Sequence, residues 1–251
     1  ALWKIIYYRL PALAETICYD ICVISEYPRP VWINRMPSRL TGNDLVCIRG
    51  ERTVFEGLSF TIGESDAIVL RGANGSGKST LLRLMAGLLR PYSGVVTWNK
   101  LDISQDIHTH GANIHYVGHQ DAIKPLLTVA ENLSFAASLK ASEFNLRNAL
   151  EAFSLINLTD LPVHLLSAGQ RRRLALSRLI ASQAPLWLLD EPTVSLDGGA
   201  VTMLLSAIAA HRAGGGMVAV AAHGPLNLPD ASEFDVGAFA PTGSVDFEGP
   251  S

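Results

Sequence analysis

The chain has 251 residues, with 20 Lys and Arg against 23 Asp and Glu and a formal net charge of −3, which excludes a protein built chiefly to grip nucleic acid. Apolar residues make up 48 % and charged residues 17 %, which rules out a disordered chain and leaves the surface short of charge, as suits a protein partly covered by a partner. No run approaches the ~18 consecutive apolar residues of a membrane-spanning helix, and three cysteines (Cys18, Cys22 and Cys47) suit reduced cytoplasmic thiols better than a disulfide framework.

Residues 1–38 hold four prolines (Pro11, Pro28, Pro30 and Pro37) and no sustained period of 2 or 3.6, and are expected to form a poorly ordered extension. One reading starts natural translation at Met36. Ala1–Leu10, broken by Lys4 and Arg9, lacks the pattern of a secretory signal. From residue 39 to 251 one domain is expected. Val46–Arg49 and Leu58–Ile62 read as strands, with Gly50 and Gly57 as turn punctuation. Ala67–Leu70 is a continuous apolar run of the kind a buried parallel strand needs. A glycine-rich turn leads into a helix over Ser79–Ala86, and Val95–Trp98 and Ile114–Val117 read as further strands. Residues 108–113 read as a polar loop.

Between Pro125 and Leu166 the pattern turns helical, opened by the capping pair Thr128 and Glu131. A second helix starts at Ser167. Leu186–Leu189 and Met217–Ala222 are buried-type strands. Strands alternating with helices imply an α/β fold with a mainly parallel sheet flanked by helices, interrupted by an inserted helical subdomain over about 120–168.

Gly72-Ala73-Asn74-Gly75-Ser76-Gly77-Lys78-Ser79 matches G-x-x-x-x-G-K-[ST], between a strand and a helix. Glycines let successive N–H groups curl inward on phosphate oxygens, and the helix N-terminus adds positive charge at the same place. Lys78 would reach the β- and γ-phosphates, and Ser79 would ligate Mg²⁺. After the strand 186–189, Asp190 is placed to hold Mg²⁺ through its water shell, and Glu191 to polarise the attacking water. Asp-Glu after a strand is ordinarily a solvated turn; paired with the phosphate loop, it reads as a metal-and-base arrangement. ATPase or GTPase chemistry follows. Ser167 and Gln170 form a second capping box. Arg171, Arg172 and Arg173 follow in the first turn, where the helix dipole disfavours cations. Their ~100° spacing denies them a common surface, so an anion beyond the helix end is expected, namely a nucleotide on another subunit.

With these segments in this order, the chain resembles an ABC-type ATP-binding cassette. Leu166-Ser167-Ala168-Gly169-Gln170 resembles the family's signature, with Ala168 where Gly is commoner. The resemblance implies a P-loop NTPase core with a small antiparallel β subdomain and the helical insertion. It also implies ATP with Mg²⁺, clamped between the phosphate loop of one subunit and Ser167, Gly169 and Gln170 of its partner in a nucleotide-dependent homodimer. Asn74 and Thr80 fit ordinary loop and α-phosphate contacts, Gln120 the glutamine that senses Mg²⁺ and water, Ser195-Leu196-Asp197 the dimer-contact loop, and His223 the γ-phosphate contact. Where the family stacks an aromatic on adenine, this chain has Arg49, whose planar guanidinium can also stack on a base.

Tyr116-Val117-Gly118-His119-Gln120, Ile123-Lys124-Pro125, Leu127–Leu133 and Arg49-Gly50-Glu51-Arg52 resemble the ATPase subunit of the bacterial cytochrome c maturation haem exporter. That resemblance implies a peripheral protein on the cytoplasmic face of the inner membrane, driving an integral permease, with haem an indirect ligand at most and no nucleic acid. A motor for lipid, peptide or drug remains the alternative. The permease would enter an apolar groove between insert and core. A chromosome-structuring cassette would need a long coiled coil, whereas Lys78 and Ser167 stand 89 positions apart without heptads. A translation-factor cassette would bring two cassettes and basic extensions. His108, His110, His115 and His119 fall within twelve residues, but they mix loop and strand and share no face, so they read as packing or solvated histidines.

Overall fold

A computed structural model describes residues 38–140, 144–224 and 226–241. The expected extension over 1–38, with Cys18, Cys22 and Met36, lies outside the described residues except for Ser38. Two sheets organise the rest. Strands β1 (Arg39–Arg49), β2 (Arg52–Gly63), β4 (Ser93–Trp98) and β5 (Leu101–Asp102) form an antiparallel sheet in the order β2-β1-β4-β5. Strands β3 (Ala67–Arg71), β6 (Ile114–Val117), β7 (Leu186–Asp190), β8 (Met217–Ala221) and β9 (Ser232–Asp235) form a parallel sheet in the order β6-β7-β8-β3-β9.

The central parallel strands β3, β7 and β8 are apolar almost throughout because they are covered on both faces. Ile68, Leu70, Leu186 and Leu188 point into one core with the antiparallel sheet and Leu81, Leu82, Leu84 and Met85 of helix α1 (Lys78–Met85). Val69, Trp187, Leu189, Val218 and Val220 point into the other. That second core takes in α3 (Val129–Ser138), α4 (Leu146–Ala152), α5 (Ala168–Ala181) and α6 (Gly198–Ala213) through Leu133, Leu150, Phe153, Leu174, Leu176 and Leu204. Period-2 alternation in β3 and β7 thus sorts side chains between two layers.

The expected capping boxes are formed. Thr128 opens α3 with Glu131 reciprocating, and Ser167 opens α5 with Gln170 reciprocating. Residues 108–113, expected as a polar loop, instead lie largely in a short helix, α2 (Ile107–Ala112). Asp106 caps it by accepting from the Thr109 N–H at 3.0 Å, and Ile107 and His110 turn toward α1, where His110 Nε2 meets the Met85 carbonyl at 2.7 Å. Helix α6 and edge strand β9 escape the sequence reading. The first opens on two glycines, and the second, Ser-Glu-Phe-Asp, is mostly polar.

Candidate functional site

Strand β3 ends at Arg71, and the glycine-rich loop carries the chain into α1. Gly77 caps that helix at φ 105°, with no side-chain cap. A Cβ there would lie 2.7 Å from Val54 Cγ1 and 2.9 Å from Phe55 Cδ1. Glycine therefore lets the β1–β2 hairpin close directly against the loop. The first N–H groups of α1 have no intrahelical acceptors and carry the positive end of the helix dipole. Lys78 Nζ donates to the Gly72 and Ala73 carbonyls at 2.7 and 2.9 Å. Burial pushes the Lys78 ammonium pKa down, while Glu191 and Asp190 push it back up. Ser76 Oγ is buried with no hydrogen-bond partner among the described residues, a polar atom that an incoming anion would satisfy.

The acids arrive from β7, two strands away across β8. Asp190, 2 % exposed, accepts a hydrogen bond from Ser79 Oγ at 2.9 Å. Glu191 leaves the strand at φ 47°, a conformation that costs a non-glycine residue energy and recurs at functional sites. Its N–H donates to Ala221 at the end of β8 (2.9 Å), and its Oε1 lies 3.0 Å from His223 Nε2. Arg71 holds the segment around His223, donating to the Ala222 and Gly224 carbonyls while pairing with Glu233 at 2.8 Å. Loop, acids and histidine thus meet at the carboxyl edge of the parallel sheet, where ligands of such folds bind.

A cavity of about 550 Å³ unites them, lined by Arg49, Arg52, Val54, Asn74, Gly75, Gly77, Lys78, Ser79, Thr80, Glu191 and His223. Arg52 is a lining residue that the sequence reading did not single out for the site. It faces Arg49 directly across the hairpin, and cross-strand pairing over a two-residue turn was the signal available. Arg71 carried no such signal, because its partners are distant in sequence. Gln120 sits exposed on the turn after β6, and Ser167, Gly169 and Gln170 open α5 outside the cavity walls. Gly169 packs against the loop that follows the acids: its missing Cβ would lie 3.0 Å from the Ser195 carbonyl oxygen. Asp197 caps α6 by accepting from the Ala200 N–H at 2.7 Å.

The expectation that Arg171, Arg172 and Arg173 address an external anion fails at Arg172, whose guanidinium is buried among acceptors of this same chain. All three guanidinium groups donate to carbonyls of this same chain: Arg171 to Leu166, Arg173 to Phe153, and Arg172 to a cluster around Asp190 and Glu191. Loops that leave carbonyls unpaired near the helix start take up the charge that the dipole would disfavour. Nor do the histidines share a face. His110 and His115 are buried, with Nε2 atoms against the Met85 and Ser182 carbonyls, and burial pushes the His115 pKa down to about 4. Cys47 is buried in the core, which raises its thiol pKa.

For a divalent cation, Ser79 Oγ and Asp190 Oδ1 are hard oxygen donors side by side. No group of three His, Cys, Asp or Glu among the described residues is placed to hold a metal ion. Mg²⁺ is commonly held this way, by one or two protein oxygens together with phosphates and water, so the donor set fits it. A second cavity, of about 360 Å³, separates the helical insert from the core, with Leu88, Ile107, Tyr116, Ala137, Leu139, Lys140 and Arg178 on its walls. No helix among the described residues is long and apolar enough to cross a membrane.

The family model described as ABC transporter matches residues 55–194. The chain is 51 % identical over 206 residues to the cytochrome c biogenesis ATP-binding export protein CcmA of Rhodospirillum rubrum, covering 82 % of this chain and 88 % of that protein. It is 46 % identical over 208 residues to the protein of the same name from Paramagnetospirillum magneticum, covering 81 % and 96 %. Among solved structures, a putative ABC transporter ATP-binding protein from Pyrococcus furiosus superposes with a TM-score of 0.71 at 24 % identity, over 81 % of this chain and all of that one. The fold is the same.

Proposed function

Because the chain belongs to the ABC transporter family, among the cytochrome c biogenesis ATP-binding export proteins, we propose that it is the ATP-hydrolysing subunit that powers haem export or handling for c-type cytochromes. The cavity that joins the phosphate loop to Glu191 and His223 is the observation that carries the reading. Loop N–H groups and Lys78 would hold the β- and γ-phosphates, with Asn74, Gly75, Ser76 and Thr80 completing the cradle. Arg49, flanked by Arg52, would lie against the base. Glu191 acts as general base toward the attacking water, and His223, 3.0 Å away, orients that carboxylate and faces the γ-phosphate. Ser79 and Asp190 would hold Mg²⁺, with Gln120 brought to it; the ion, when bound, neutralises charge on the phosphates.

Ser167, Gly169 and Gln170, the signature residues that would contact nucleotide, lie outside the walls of this chain's own cavity. We therefore read the working form as a nucleotide-dependent homodimer in which each signature covers the partner's loop. The groove between insert and core supports docking of an integral permease on the cytoplasmic face of the inner membrane. Its walls are mostly apolar, with Leu88 60 % and Leu139 71 % exposed.

The test replaces Glu191 with Gln in the native cell and in purified protein. ATP should still bind, phosphate release should fall at least about 10²-fold, and haem-stained c-type cytochromes should disappear while their apoproteins persist. Normal hydrolysis would refute the base assignment. Lost hydrolysis with normal cytochromes would refute the haem reading alone.

A further inference from the structure

The arginine run at 171–173 contains a group that the proposed mechanism leaves unused. Arg172 lies in the first turns of α5, its side chain 4 % exposed. A guanidinium has five N–H donors, and here all five find acceptors. Nε donates to Pro192 O (3.3 Å), Nη1 to Gly118 O (3.0 Å) and Asp121 Oδ1 (2.9 Å), and Nη2 to Asp190 O (3.1 Å) and Glu191 O (2.8 Å). One side chain therefore ties three segments together: the helix that begins at Ser167, the turn 118–121 that carries Gln120, and the end of β7 that carries both acids.

Glu191 needs such a tie. Its left-handed backbone is held on one side by its own N–H bond to Ala221 and on the other by Arg172 at its carbonyl. Relaxing that backbone would swing the carboxylate away from His223, and displacements of about 1 Å from a productive geometry can cost on the order of 10² in rate. Asp121 in turn anchors Arg172, and Arg178 fixes the Asp121 backbone by donating to its carbonyl at 2.6 Å.

We propose that Arg172 is a positioning residue for hydrolysis, setting the Glu191 backbone and the Gln120 turn at one fixed spacing. This rests on the reading of Glu191 as the base. Arg172 is not among the residues that line the nucleotide cavity, and it acts through Glu191. Lysine, with three donors and no planar fork, can replace its charge but not its geometry.

The experiment measures steady-state ATP hydrolysis by the full chain carrying Arg172→Gln, Arg172→Lys, Asp121→Asn or Glu191→Gln, with Arg147→Gln at an exposed pair as control. Arg172→Gln should lower kcat at least about tenfold with KM for ATP within about twofold. Arg172→Lys should recover part of kcat, and Arg172→Gln combined with Glu191→Gln should be no slower than Glu191→Gln alone. A kcat within twofold of the unmodified chain, or a rise in KM with kcat unchanged, overturns the proposal. Should Arg172→Gln fail to fold, Asp121→Asn decides: a several-fold fall in kcat at constant KM supports the proposal, and unchanged kcat overturns it. If Glu191→Gln alone hydrolyses ATP normally, the base assignment fails and this proposal fails with it. If only Arg172→Gln is normal, this proposal alone falls.

Discussion

Gly77→Ala adds a single methyl at the entrance to the phosphate-binding helix, and its cost can be worked from the geometry. At φ 105° an alanine leaves its allowed backbone regions, a strain of about 1–2 kcal/mol. The new Cβ would lie 2.7 Å from Val54 Cγ1 and 2.9 Å from Phe55 Cδ1. Phe55 is fully buried, so it cannot swing aside, and overpacking of this kind costs about 1–3 kcal/mol. Together these give roughly 2–5 kcal/mol, which for a domain near 200 residues lowers Tm by about 5–15 °C. Gly75→Ala is the internal comparison. It carries a positive φ of 81° but has nothing within 4 Å of its would-be Cβ, so only the backbone strain should appear. Thermal unfolding of both variants without nucleotide reads the steric part as their difference. ATP affinity of Gly77→Ala should also fall, since relief of the clash moves the loop that holds Lys78. Equal Tm values for the two variants would refute the argument that the β1–β2 hairpin sets the loop's position.

Two further outcomes follow from the same geometry. Ser79→Ala, which removes one of two neighbouring oxygen donors, should raise the Mg²⁺ concentration needed for half-maximal hydrolysis at least about tenfold; an unchanged Mg²⁺ requirement would refute Ser79 as a ligand. Burial holds the folded-state pKa of His115 at about 4 against an ordinary 6.5, so between these values the unfolded chain binds the extra proton. The stability from a neutral His115 is therefore complete above pH 6.5 and is lost as pH falls toward 4, roughly 3 kcal/mol in all. Urea unfolding midpoints of His115→Gln should decline less steeply across that window than those of the unmodified chain, and parallel pH profiles would contradict the assignment.

The parts of the molecule legible in the sequence were those whose signal is local. The loop from Gly72 to Ser79 declares itself because backbone curl, cation and helix start must be contiguous. The capping boxes at Thr128 and Ser167 declare themselves because their partners stand three residues apart. Strands β3, β7 and β8 are legible because burial on both faces demands unbroken apolar runs. What stayed hidden depends on partners far along the chain. Strand β9 is polar and becomes a strand only by pairing with β3 at the sheet edge. The arginines after the signature look like charges seeking an anion until the carbonyls of residues 118 and 190–192 are brought beside Arg172. Arg52 enters the site only through its register with Arg49.

The central claim is that one site is assembled from two copies of the chain, and subunit mixing tests it most directly. Lys78→Ala disables the phosphate loop and Ser167→Arg the signature, so each variant alone should release no phosphate from ATP. Mixed in equal amounts, they should regain activity toward about a quarter of the unmodified level, because half the symmetric pairs are hybrids with one intact site of two. A mixture as inactive as its components, or a Ser167→Arg chain that hydrolyses ATP unaided, would contradict the account.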